Sequence, residues 1–262
     1  MSGRQWGDER ILDYLNEKHQ WNGYERNVPY HPRSNKHGAL QCVFFLEDLL
    51  GVSEDLRRAA EGGEIVYAED YDIGDPSALG WNVDLVLGPP ANGNRGNIEG
   101  NGPRMTEGEP IEPYLAIDAK SIMTRHQRAR RNRQRDINSF ADIMHSHNER
   151  TVTGGIVLVN LARRFDSPLT DLDDVTDHGD VERYVDQIID LFDSIDRAEG
   201  DVSANLDEVA CVVIRHTNLI EDLGDSELVT DPPAPQAGDR TQYRTFVQRI
   251  ATTLEDRFLN AK

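Results

Sequence analysis

Apolar residues fall into a few runs along the chain, and their spacing predicts alternating helices and strands. Gln41 to Leu50 (QCVFFLEDLL) is apolar enough for a buried helix, which Gly51 is expected to stop. Glu64 to Tyr71 and Trp81 to Gly88 have strand character. In the second of these, Trp81, Val83, Leu85 and Leu87 alternate with Asn82, Asp84 and Val86, which predicts two distinct faces. From Pro89 to Pro110 the chain is rich in Gly, Asn and Pro without periodicity. This predicts a long flexible loop over 89–112 within one domain, because the strand pattern resumes at once. Tyr114 to Lys120 (YLAIDAK) predicts a third strand. A helix is expected from Arg125 to Ser146, with Ile137, Phe140, Ala141 and Met144 as its buried stripe. Thr153 to Asn160 is almost continuously apolar, the pattern of a strand covered on both faces.

A helix (Val181 to Ile195), a buried strand (Val209 to Ile214) and a last helix (Arg240 to Leu259) complete the order α-β-β-β-α-β-α-β-α. The expected fold class is α/β, with a central mixed sheet flanked by helices. It is read as one domain over 1–262, with a core at about 41–160 and a C-terminal α/β extension over 161–262.

Composition changes this picture in two ways. No apolar run approaches the roughly 20 residues of a membrane-spanning helix, and the first ten residues lack a signal-like apolar stretch. The expectation is a cytoplasmic protein without membrane contact. Cys42 and Cys211 each sit inside an apolar run and read as buried thiols. The second change comes from charge: 47 acidic residues face 28 Lys plus Arg, for a net −19, and only Lys18, Lys36, Lys120 and Lys262 are lysines. A surface so acidic and lysine-poor resembles those of proteins from salt-loving archaea.

Against that background a cluster of arginines stands out. Ser121 to Arg150 holds seven arginines against three acids, a local +4 that leaves −23 for the rest of the chain. Arg125, Arg128, Arg131 and Arg135 share one helical face, and the planar guanidinium fork matches phosphate oxygens, so this face is expected to bind a nucleic-acid backbone. The competing reading is a solvated face that pairs with the acidic remainder. Arg33 and Lys36, in the basic run His31 to His37, are further candidate contacts. The acidic stretch Asp166 to Asp201 is expected to form a hydrated outer surface.

Candidate chemistry follows from strand periodicity. Residues two apart share a face, so Asp118 and Lys120 project together while Leu115, Ile117 and Ala119 turn toward the core. If the two preceding strands pair antiparallel, Asp84 and Asp118 converge with Lys120 beside them. Two carboxylates suit Mg²⁺, which keeps several waters and also takes phosphate oxygens. The lysine can then orient water and offset charge on a phosphate. Lys120 itself reads as an exposed strand-end residue with little weight in stability.

Asp84 on one strand and Asp118-Ala119-Lys120 on the next, inside an α-β-β-β-α-β order over Gln41 to Asn160, resemble the PD-(D/E)XK phosphodiesterase superfamily. That family has the fold of many restriction endonucleases. The resemblance implies a restriction-endonuclease-like core and a Mg²⁺-dependent endonuclease, with Mn²⁺ as an alternative metal and DNA as substrate. Asp84, Asp118 and the Ala119 carbonyl would be metal ligands, and Asp84, Asp118 and Lys120 the catalytic set. Glu47 would fill the place of a helix glutamate that some members add. The implied role is restriction or defence, with DNA repair or recombination as the alternative, and cutting both strands would favour a homodimer. Valine in place of proline before Asp84, aspartate in place of glutamate at 118, and 33 residues between the two acids depart from the family's common pattern. Two rivals to an active nuclease remain: a catalytically silent nucleic-acid-binding protein of the same fold, and a module whose arginine helix docks on an acidic partner protein.

Overall fold

The structure is a computed structural model that describes residues 4–21, 27–74, 81–91, 103–169, 175–198 and 205–260. Three layers stack around one six-stranded mixed sheet. Its strands are β1 (Val66–Ile73), β2 (Trp81–Gly88), β3 (Leu115–Ile122), β4 (Val152–Asn160), β7 (Glu208–Arg215) and β8 (Glu227–Leu228), adjacent in that order. β1, β2 and β3 pair antiparallel, β4 and β7 join in parallel, and β8 closes the far edge antiparallel. A separate ribbon pairs β5 (Arg164–Asp166) with β6 (Val175–Asp177).

Helices cover both faces of the sheet. Against one face, α1 (Gly7–Leu15), α2 (Lys36–Val52) and α6 (Tyr243–Leu254) bury Ile11, Phe45, Leu49, Phe246 and Ile250 on Leu85, Leu115, Ile117 and Ile156. Against the other, α4 (His126–His147) and α5 (Val181–Asp193) bury Ile137, Phe140, Val185 and Phe192 on Val86, Ala116, Val157 and Val209. β4 is buried along its whole length, as its unbroken apolar sequence requires. A Cβ at Gly154 would lie 2.6 Å from Ile117 Cδ1, so glycine there lets β3 and α6 pack closely over the strand.

α3 (Glu54–Glu61) lies outside the sequence expectation, with Ser53 capping the N–H of Leu56 at 3.0 Å. α2 begins five residues earlier than its apolar run and continues through Gly51, so Lys36 and His37 belong to a helix rather than a loop. α6 runs into a π-helical turn over Glu255–Leu259. Both cysteines are buried free thiols. No helix among the described residues is long and apolar enough to cross a membrane.

The expected flexible loop is corrected at both ends. Its middle, 92–102, lies outside the described residues, but the flanks continue the sheet. Ala91 donates to Glu109 at 2.9 Å, Ile111 to Pro89 and Tyr114 to Leu87 at 2.8 Å, which prolongs the β2–β3 hairpin past Gly88. Along the outer edge of β1, the Tyr67 N–H then donates to the Thr106 carbonyl at 3.1 Å and the Gly108 N–H to the Tyr67 carbonyl at 2.8 Å, with Met105 buried beneath. Proline and glycine content masked these ladders, although Pro89 accepts and Gly108 donates within them.

Candidate active site

The sheet is disturbed at one point. β1 and β2 pair from Val66↔Gly88 to Ile73↔Trp81, but Asp70 and Asp84, which that register would set opposite each other, make no ladder pair. Asp70 there has φ 49°, a left-handed conformation that aspartate tolerates better than most residues. The strand faces slip across this break: Leu85 and Leu87 join the core under α2, whereas Trp81 and Val83 pack with Val86 under α4. The simple alternation read from the sequence is therefore corrected at Asp84.

β2 and β3 part at the same place. Their ladder runs Leu87↔Leu115, Val86↔Ala116, Leu85↔Ile117 and then ends. One residue further, the Asp84 carboxylate accepts the Ala119 N–H at 2.7 Å. Lys120 Nζ donates to Asp118 Oδ1 and stands 4.0 Å from Asp84 Oδ2. Asp84, Asp118, Ala119 and Lys120 are thus brought together as a unit.

Asp118 is fully buried, and its Oδ2 has no hydrogen-bond partner in the described structure. Burial pushes its carboxyl up to about 7; Lys120 pulls it down, while nearby Asp84 adds to the rise. Asp84 is raised as well, mainly by burial, with Lys120 and the Ala119 N–H opposing. Two carboxyls held above their ordinary range beside one ammonium form a site short of positive charge. An orphaned carboxylate oxygen, a second acid close by and a backbone carbonyl suit a hard cation with oxygen ligands. Among the described residues no three or more His, Cys, Asp or Glu side chains converge on one point, so waters would complete such a shell.

Glu47 is not brought to the site. It lies on the α2 face that meets α1, where its carboxylate pairs with Arg10. The sequence placed it by its apolar neighbours, but α1, which has no counterpart in that reading, claims this face.

The expected arginine face is exposed. Arg125, Arg128 and Arg131 point outward, and no ion pair or hydrogen bond joins their side chains to another described residue. Arg135 contacts Asn132 at 3.0 Å. The acidic remainder of the described chain therefore leaves this stripe uncompensated. Arg130 turns to Gln187 on α5.

Arg133, outside the expected stripe, turns inward instead: its Nε faces the Ser121 carbonyl at 3.4 Å, and its Nη1 pairs with Asp136 at 2.9 Å. The arginine periodicity conceals it because one of its two contacts reaches across to the end of a strand. Burial, with the Arg133 charge adding to it, holds the His37 imidazole down near 4, and the same charge reaches Tyr30.

The N-terminal end of α2 closes the other side. Gly38 packs against Ala119, the place where a Cβ would meet that residue at 3.6 Å. Ser121, next to Lys120, meets Tyr30 Oη at 2.8 Å and His37 Nε2 at 3.3 Å. Asn218, at φ 58°, accepts the Tyr30 N–H at 2.8 Å and donates to its carbonyl at 3.0 Å, which anchors that tyrosine. Lys36 lies over the Trp21 ring at 5.6 Å, and Arg33 is exposed just before it. Sequence reasoning did not bring Tyr30, His37, Ser121 or Arg133 to this site: His37 figured only as the end of the basic run, Arg133 only in the arginine count, and Ser121 was signalled only by its place next to Lys120.

No protein-family model, curated protein or solved structure matches the chain.

Proposed function

We propose that the protein is a Mg²⁺-dependent endonuclease with a restriction-endonuclease-like core, which hydrolyses phosphodiester bonds of DNA. One observation carries this reading: Asp84, Asp118 and Lys120 meet where β2 and β3 separate, with a buried Asp118 oxygen left without a partner. The order of elements around that point, β1–β2–β3 followed by α4 and β4, supports this reading because the superfamily resemblance rests on the same order. The exposed arginine stripe of α4 begins five residues after Lys120 and supports a polyanionic substrate.

In this reading Asp84, Asp118 and the Ala119 carbonyl hold Mg²⁺, with Mn²⁺ as a substitute. When bound, the ion polarises the phosphate and eases deprotonation of water. The chain's own groups do the rest. Lys120, oriented by Asp118, offsets negative charge that builds on the phosphate as water attacks and the ester oxygen leaves. Asp84 fixes the strand edge through Ala119. Arg133 stands between α4 and Ser121, placed to hold a phosphate, while the outer stripe holds the backbone further along. Double-strand cutting would call for a two-fold dimer. A restriction or defence role is the first assignment, and repair or recombination the second.

The test is digestion of plasmid and single-stranded DNA with and without Mg²⁺, in salt sufficient to keep the acidic fold intact. Metal-dependent cleavage with uniform product ends is expected. Binding without cleavage under every metal condition would leave the catalytically silent relative as the better reading.

A further inference from the structure

The acid pair occupies one end of α2; a second feature lies at the other. Arg4, Arg57 and Arg104 line a cleft of about 340 Å³ together with Glu47, Leu50 and Pro103. Gly38, which touches Ala119, and Gly51, which touches Arg4, are thirteen residues apart on α2. At 1.5 Å per residue the cleft is about 20 Å from the acids.

The charges in this cleft are unevenly met. Arg4 donates to Asp48 Oδ1 and to the Glu47 carbonyl, both at 2.8 Å, and Glu47 is neutralised by Arg10. The Arg4 guanidinium is seated on Gly51, where a Cβ would come within 1.5 Å of Nη1, so any side chain there would expel it. Arg57 and Arg104 have no ion pair or hydrogen bond from their side chains among the described residues. Two uncompensated guanidinium groups beside a fixed third are out of keeping with a chain of net charge −19. Packing does not account for them either, since Arg104 is exposed and Arg57 half-buried.

We propose that this cleft binds a phosphomonoester: the terminal, doubly charged phosphate of a free nucleotide or of a phosphorylated strand end. The charge count favours this group over a backbone diester. A diester carries one negative charge, whereas a monoester near neutral pH carries about −1.5 to −2, which matches Arg57 and Arg104. Arginine forks suit its three terminal oxygens. Leu50 and Pro103 give the attached sugar an apolar wall. Nothing in the site depends on cleavage at Asp84 and Asp118.

The experiment is titration calorimetry in EDTA, at the lowest salt that preserves the thermal melt. Its probes are AMP, a 5′-phosphorylated tetrathymidylate and the same oligonucleotide without the phosphate. At least one phosphorylated probe is expected to bind, with the unphosphorylated oligonucleotide at least about tenfold weaker, the scale of one lost charge-assisted contact. Comparable binding of AMP assigns the site to free nucleotides; binding of the phosphorylated oligonucleotide alone assigns it to strand ends. The double variant Arg57→Gln/Arg104→Gln should lose at least about tenfold while melting normally. Should it melt low, Arg104→Glu alone is expected to show the same loss. Equal binding of the unphosphorylated probe, or unchanged affinity in the arginine variants, overturns the proposal.

Discussion

Asp84 and Ala119 are joined by a 2.7 Å hydrogen bond one residue beyond the last ladder pair of β2 and β3. A side chain here does what a main-chain carbonyl does along the rest of the hairpin. The strands can separate without leaving the Ala119 N–H unmade, and the opening so created holds the acids. Replacing Asp84 therefore removes both a charge and a structural bond.

Lys120→Ala is expected to abolish cleavage and also to lower stability at neutral pH, by on the order of 2 kcal/mol. The sequence presents Lys120 as an exposed strand-end residue, but its ammonium pairs with a carboxylate that is fully buried. Removing it leaves Asp118 to take up a proton instead. Mg²⁺ should restore part of the lost melting temperature by supplying the missing charge. Cleavage at the wild-type rate in a normally melting variant would show that Asp118 and Lys120 are only a structural pair.

Cleavage should require Mg²⁺ or Mn²⁺, with Ca²⁺ supporting DNA binding and little turnover. Full activity in excess EDTA is the result that excludes the two-carboxylate site. Glu47→Gln should leave the metal concentration needed for half-maximal activity unchanged, because Glu47 answers to Arg10. A rise of tenfold or more in that concentration would return Glu47 to the site.

Arg128→Ala/Arg131→Ala should weaken DNA binding evenly across sequences and reduce the slope of log K against log salt by about 2. The comparison belongs at the lowest salt the fold tolerates. An unchanged slope would show that the exposed stripe faces something other than phosphate. Arg133→Ala is expected to act on turnover more than on affinity, since its guanidinium lies against Ser121.

Acid should destabilise the protein through its buried imidazoles. Burial holds His126 near 4, well below the ordinary value of 6.5, while its Nε2 contacts the Asn160 carbonyl at 2.7 Å. The unfolded chain takes up the proton first, so this stability is present above pH 6.5 and is lost as pH falls toward 4. The share of one such group is on the order of 3 kcal/mol. His126→Gln should therefore trail the wild type most at pH 7.5 and close the gap by pH 4.5 in denaturant melts. A gap independent of pH would mean that His126 takes up its proton in the fold as readily as in the unfolded chain.

Much of the scaffold could be read from the sequence. β2 matches its expected bounds at both ends, and β3, α4, β4, α5 and β7 shift by only a residue or two, because each strand is an apolar run and each helix carries an apolar stripe. The Asp84, Asp118, Ala119 and Lys120 set was legible for the same reason: strand periodicity put the acids on adjoining strands. What stayed hidden depends on single residues rather than on periods. The left-handed Asp70 slips both β1 and β2 from one core to the other. α1 is short and polar, yet it takes over the side of α2 on which Glu47 lies. Ser121, His37, Tyr30 and Arg133 are joined through hydrogen bonds that span up to 91 positions of sequence, a distance no local pattern encodes.

The bridge between Pro90 and Pro110 has a consequence for how this chain could vary. Because the two prolines are neighbours in space, the chain is back at Pro110 where it left at Pro90. The 33 positions separating Asp84 from Asp118 are therefore no measure of the gap their carboxylates span. Spacing between the acids is for this reason a poor yardstick for finding kin of this protein; the tripeptide and the strand before it are the better one.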